Sequence, residues 1–136
     1  MKYLGIDYGE KRVGLAITSR NGKIVLPYKT LCRISKKQIT DEIKKIVDEL
    51  QIDVIVVGMP GQEDTLVVRQ IKNFILLLKK KTNKPIYTVD ETLTSFEAKY
   101  KLKNSGINLK KKKYIIDQIA AQEILHTFLK QQKDEI

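Results

Sequence analysis

The sequence holds a single cysteine, Cys32, and a single histidine, His126, among its 136 residues. One cysteine excludes an intramolecular disulfide, and the sequence supplies no base that would make it a nucleophile. Neither residue has a partner at metal-ligand spacing, which argues against zinc. No apolar run approaches the roughly 20 residues needed to cross a bilayer. No segment joins a basic face to a large aromatic-rich face, so no membrane partner is expected. Nothing leader-like precedes the strand-like segment that begins at Tyr3, and a reducing, cytoplasmic setting is the expectation. Repeats, linkers and low-complexity tracts are also missing, and the length suits one domain spanning residues 1–136.

What the chain has in excess is positive charge. Lysine and arginine number 26 against 16 acidic residues, a net charge of +10, and the sequence pI is about 9.6. A small domain this basic is expected to meet a polyanion, with nucleic acid first. Hydrophobic residues make up 42% of the chain, enough for an ordinary core.

The hydrophobic pattern reads as βββ-α-β-α-β-α-α. Tyr3 to Asp7, Val13 to Thr18 and Lys23 to Leu31 form a meander. Arg20-Asn21-Gly22-Lys23 reads as a type I′ hairpin turn, and Pro27 marks an edge or a bulge. Ser35 caps a helix reaching Leu50, with Ile39, Ile43, Ile46 and Val47 at helical spacing. Val54-Ile55-Val56-Val57 has the β-branched continuity of a strand covered on both faces. Gly58-Met59-Pro60-Gly61 breaks it. A helix is expected from Glu63 to Lys81, ended by Asn83, then a strand from Pro85 to Asp90. A further helix starts at Thr94 or Ser95, runs to Asn104 and is closed by Gly106. The last helix runs from Leu109 to about Gln131. A meander followed by βα units makes an α/β fold: a mixed five-stranded sheet flanked by helices.

Three places in this pattern hold carboxylates where chemistry gathers. Asp117 heads an apolar stripe made of Ala120, Ala121, Ile124, Leu125 and Phe128, so it either reaches solvent at the stripe's edge or meets an arginine, a donor or a metal. Asp7 ends the first strand. Asp90 and Glu91 end the fifth, and strand alternation puts them on opposite faces without saying which one faces a site. Carboxylates gathered on two strand ends and a helix repel one another. A hard cation such as Mg²⁺ or Mn²⁺ removes that repulsion, and two such ions support phosphodiester cleavage. Three dispersed acids are a modest signal alone, and their setting in a basic chain strengthens it. The glycines Gly5, Gly9 and Gly14 do not make a dinucleotide fingerprint, since a hairpin follows them rather than a helix.

Four ordered segments carry a family resemblance. Gly5-Ile6-Asp7-Tyr8-Gly9-Glu10-Lys11-Arg12-Val13-Gly14-Leu15-Ala16 resembles the opening motif of the YqgF family. Its members are described as candidate pre-16S rRNA nucleases and, earlier, as candidate Holliday junction resolvases. Val56-Val57-Gly58-Met59-Pro60 resembles the second motif. Asp90-Glu91-Thr92-Leu93-Thr94-Ser95 with Glu97-Ala98 resembles the third. Lys111-Lys112-Lys113, Ile116-Asp117, Ala120-Ala121 and Ile124-Leu125 resemble the fourth. The resemblance implies an RNase H-like fold, a nuclease, and a site at Asp7, Glu91 and Asp117 that holds Mg²⁺ or Mn²⁺. Two departures stand out: Thr92 where the family often has arginine, and Gly61-Gln62-Glu63-Asp64-Thr65 where it often reads Leu-Asn-Met-Asp-Gly. The three acids are expected to converge on one open site within reach of a common ion.

From Ala98 to Ile116 there is no acidic residue, while Lys99, Lys101, Lys103, Lys110, Lys111, Lys112 and Lys113 lead directly into Asp117. These lysines are expected to neutralise phosphates rather than only to solvate a helix face. Lys11, Arg12 and Arg69 are further phosphate candidates. Tyr8 and Tyr114 are candidates for stacking on unpaired bases, or for packing. The expected partner is nucleic acid, foremost precursor rRNA, met by a monomer or a homodimer. Two other functions stay open: a structure-selective DNA nuclease acting on junctions, and a non-catalytic ribosome assembly factor. Clustered negative charge gains nothing for a protein that only binds phosphate, which argues against the last.

Overall fold

In the computed structural model, which describes residues 1–61, 63–91 and 109–134, the run from Val54 to Val57 is buried throughout. It opens strand β4 (Val54–Met59). With β1 (Tyr3–Tyr8), β2 (Arg12–Thr18), β3 (Val25–Cys32) and β5 (Ile86–Asp90) it forms a five-stranded sheet ordered β3-β2-β1-β4-β5. β1, β2 and β3 pair antiparallel, whereas β4 pairs parallel with β1 and with β5. This is the mixed sheet expected of a meander followed by βα units.

Pro27 sits on the edge strand and beside a bulge. Leu15 faces Lys29 and Ala16 faces Pro27, so Tyr28 is the extra residue. Both are settings in which a strand tolerates a missing N–H. The β2–β3 connection differs from the expected type I′ turn. That turn needs positive φ at both central residues, and of the pair only Gly22 has it. Instead the Ser19 N–H donates to Ile24 O across a longer loop, and the Asn21 side chain accepts from Ser19 Oγ and from the Lys23 N–H. Asparagine's capacity to bond its own turn displaced the tighter hairpin.

Helices α1 (Lys36–Glu49) and α2 (Leu66–Lys81) cover one face of the sheet, and α3 (Leu109–Asp134) crosses the other. The Ser35 hydroxyl accepts from Gln38 N while the Gln38 side chain accepts from Ser35 N, a reciprocal cap that starts α1 at the expected place. α2 begins later than Glu63 because the Thr65 hydroxyl caps it by accepting from Val68 N. It runs to Lys81 as expected, with Thr82 rather than Asn83 as its C-cap. Leu4, Ile6, Tyr8, Ile39, Ile43, Ile71 and Phe74 are among the residues that fill the core beneath α1 and α2. Ala16, Val54, Val56, Val89, Ala121, Ile124, Leu125 and Phe128 fill the core under α3. α3 is also stitched to the edge strand: Thr30 Oγ1 donates to Tyr114 O at 2.7 Å, and Gln122 Nε2 donates to Val25 O at 3.2 Å. The helix expected over 94–104 and its closing Gly106 lie outside the described residues. No helix among the described residues is long and apolar enough to cross a membrane.

Candidate active site

Alternation along β1 sends Leu4, Ile6 and Tyr8 into the core under α1 and α2. Gly5 and Asp7 therefore belong to the α3 face. Asp7 stands directly opposite Gly14 on β2. A Cβ on Gly14 would lie 2.0 Å from the Asp117 carbonyl oxygen and 2.8 Å from the Asp117 Cβ. The backbone of α3 therefore rests on β2 at Asp117, one strand over from Asp7. On β1's other side the parallel register pairs Ile6 with Val57, so the next step places Gly58 beside Asp7. A Cβ on Gly58 would lie 2.5 Å from Glu91 Oε1 and 2.5 Å from Ile124 Cδ1.

The sheet thus presents a row of Gly14, Asp7 and Gly58 to α3. Neighbouring strands lie about 4.8 Å apart, so Asp117 and Glu91 flank Asp7 by about one strand spacing on each side. The missing side chains of the two glycines make the room. This also distinguishes the two acids that end β5. Met59 pairs with Asp90 and Gly58 with Val89. Val89 packs in the α3-side core, so Asp90 points to the opposite face and the Glu91 carboxylate comes back over Gly58.

Among the described residues, no three His, Cys, Asp or Glu side chains are drawn close enough to hold a metal ion. The three acids share a face and a row, but Arg12 Nε donates to Asp117 Oδ2 at 2.7 Å. Of the partners open to Asp117 from its spacing, an arginine is one it meets. The donor set nevertheless suits a hard divalent cation: carboxylate oxygens alone, over a cradle that a single Cβ at position 58 would fill.

The expected phosphate contacts are dispersed. Lys11 and Lys113 are exposed and Lys112 is half-buried, while the side chains of Lys110 and Lys111 lie outside the described residues. Arg12 is engaged by Asp117. Arg69 is held by Asp64 through two hydrogen bonds, Nε to Oδ1 at 2.9 Å and Nη2 to Oδ2 at 2.8 Å. That pairing holds the Asp64 carboxyl below its ordinary range. Tyr8 is closed to bases: it is buried, with its ring stacked on Phe74 at 4.3 Å. Tyr114 is exposed. His126 is exposed, as its place beside the apolar stripe implied, and Cys32 is an exposed free thiol. Thr92, like the loop residue Gln62, lies outside the described residues.

Sequence reasoning passed over Gly14 and Gly58 as site-forming residues. The signal was present, since glycine inside a strand marks close approach of another chain segment. Only the path of α3 says which segment approaches.

A mixed sheet in this order, with acids at the ends of β1 and β5 beneath a crossing helix, defines the RNase H-like class. Two solved structures share the fold. T. thermophilus RuvC in complex with a Holliday junction substrate superposes with a TM-score of 0.61 at 11% identity, covering 97% of this chain and 96% of that one. The Fowlpox virus resolvase with Holliday junction DNA gives 0.59 at 13% identity, covering 97% and 99%. The family model described as "RuvX: Holliday junction resolvase" matches residues 1–131. A protein of Oleidesulfovibrio alaskensis named "Putative pre-16S rRNA nuclease" is 38% identical, covering 98% of this chain and 95% of its own. One of the same name from Mycoplasma mobile is 41% identical, covering 95% and 92%. The chain belongs to the RuvX family, also called YqgF, and with it to the phosphodiester hydrolases.

Proposed function

We propose that this chain is a divalent-metal-dependent nuclease that trims the ends of precursor 16S rRNA during ribosome biogenesis. The observation that carries the reading is the row Gly14, Asp7, Gly58, which leaves Asp117 and Glu91 on either side of Asp7. In a chain of net charge +10, three acids aligned on one rigid surface oppose phosphate binding unless they serve chemistry. Asp7, Glu91 and Asp117 would hold Mg²⁺ or Mn²⁺, which when bound activates water and stabilises the leaving oxygen. Asp7 lies near the end of β1, the central strand of the sheet, which is paired on one side with β2 and on the other with β4. Lys11 and the run Lys110 to Lys113 draw the phosphate backbone toward the acids and screen their charge. Arg12 neutralises Asp117 and holds it in place over β2. The nuclease works in the cytoplasm as a single domain, as a monomer or homodimer.

A second reading is favoured by the family's description: cleavage of branched DNA, for which a two-fold junction calls for a dimer. The names of the curated relatives favour RNA. Purified protein should be incubated side by side with precursor 16S rRNA ends and with four-way DNA junctions, with and without Mg²⁺ or Mn²⁺. Metal-dependent trimming of the RNA alone supports the first reading. Cleavage of the junction alone supports the second, and cleavage of neither removes both.

A further inference from the structure

On the sheet face opposite the acids, a cavity of about 360 Å³ opens between the β1–β2 turn and the start of α2. We propose that it receives one unpaired nucleobase of the bound strand, an inference that rests on the chain being a nucleic-acid-binding protein. The volume lies within the range of small-ligand pockets. One wall is apolar, built from Leu66, Val67 and Ile71. Leu66 and Val67 are 71% and 53% exposed, two adjacent large apolar side chains bordering an open cavity. Such a surface gains from being covered by something flat and apolar.

The opposite wall carries a fixed cation. Arg33 Nη1 donates to Gly9 O at 3.0 Å, and its guanidinium lies 4.9 Å over the Tyr8 ring. Tyr8 in turn stacks on Phe74. Phe74 and the Arg33 guanidinium thus both pack on the Tyr8 ring, Arg33 itself lines the cavity, and guanidinium groups are surfaces on which unpaired bases settle. No carboxylate pairs with Arg33 among the described residues. Glu10 also lines the cavity, and its charge disfavours a phosphate there. Gln70, which offers both a donor and an acceptor, suits the edge of a base.

Position joins this cavity to the acids. Tyr8 follows Asp7 on β1, and consecutive strand residues point to opposite faces. The two sites lie back to back across one strand end, with the exposed Lys11 on the turn between them. A strand crossing that edge sets a phosphate near Asp7, the next phosphate at Lys11 and one base over the edge into the cavity. Such capture favours single-stranded over fully paired substrate.

The test is binding of the full chain, in chelator to prevent cleavage, to short single-stranded RNAs carrying one 2-aminopurine moved stepwise along the strand. Wild type should change the emission at one position only. The double variant Leu66→Ser/Val67→Ser and, separately, Arg33→Lys should lose that change and bind about tenfold more weakly, the scale of removing one base stack. An abasic nucleotide at the same position should weaken wild type but not the variants. Both altered helix residues are exposed, so their melting temperature should match wild type. Variants that bind and report like wild type overturn the base pocket and leave a protein-docking rim in its place. Wild type that binds neither RNA nor DNA overturns the nucleic-acid reading itself, a separately visible result.

Discussion

Arg12 and Asp117, 105 residues apart in sequence, are joined by a 2.7 Å hydrogen bond from Nε to Oδ2. The bond ties the start of β2 to the first half of α3 directly beside Asp7. It places the guanidinium in competition with any cation that Asp117 would hold. Arg12→Gln should cost about 1–2 kcal/mol, because the pair is partly buried, at 28% and 16% exposure. The same change should enlarge the rise in melting temperature on adding Mg²⁺, since the carboxylate is released to the ion. Thermal melts with and without Mg²⁺ read both effects. An unchanged metal increment means that Asp117 is a structural anchor only.

The two glycines that flank Asp7 should respond differently to alanine. At Gly14 the new methyl meets the α3 backbone at 2.0 Å, which only movement of the helix can relieve. Gly14→Ala should cost about 3 kcal/mol or more. At Gly58 the methyl meets the ends of two side chains, Glu91 and Ile124. Gly58→Ala should cost about 1 kcal/mol and displace the Glu91 carboxylate, so nuclease activity falls far more than stability. Equal stability losses in the two variants, read by denaturant melts, would contradict this geometry.

Tyr8 carries a buried hydroxyl with no hydrogen-bond partner among the described residues. Burial raises its pKa above the usual 10, with Arg33 partly opposing the rise. A group whose folded pKa is raised contributes stability in full below the unfolded value and loses it as pH climbs past that value. Wild-type stability should therefore fall as pH rises above about 10. Tyr8→Phe should remove that component of the alkaline loss and gain about 1 kcal/mol at neutral pH, since an unsatisfied hydroxyl has gone. Melting curves from pH 7 to 11 decide it. A destabilised variant at neutral pH means the hydroxyl is satisfied in solution.

Much of the fold was legible because its signals are local. The β-branched run of β4, the Ser35 cap and Pro27 at a bulged edge each follow from a few adjacent residues. The stripe below Asp117 was equally plain: Ala120, Ala121, Ile124, Leu125 and Phe128 are all buried. The site was legible only in part. Strand alternation separated Asp90 from Glu91, but the β4–β5 register and Gly58 were needed to say which returns to the α3 face. Arg12 read as a phosphate contact because its partner lies far along the chain. Arg69 read the same way, although Asp64 is five residues before it. Gly14 looked like a motif letter until α3 lay across it.

The lysines before Asp117 should serve affinity rather than chemistry. Changing Lys110 to Lys113 to alanine should weaken nucleic-acid binding and flatten its salt dependence, by about 0.7–0.9 in log–log slope for each phosphate no longer neutralised. Turnover at saturating substrate should fall much less than affinity does. A salt slope equal to wild type would make the run a solvated surface.

The central claim is that Asp7 serves the chemistry from the middle of the row. Asp7→Asn keeps the side chain's size and one oxygen, so the melting temperature should stay close to wild type. It removes a negative charge beside the substrate, so nucleic-acid affinity should hold or rise. Metal-dependent cleavage of precursor 16S rRNA ends, measured on the same preparation, should drop about 100-fold or more. Cleavage at the wild-type rate by a folded, RNA-binding Asp7→Asn protein would contradict the account.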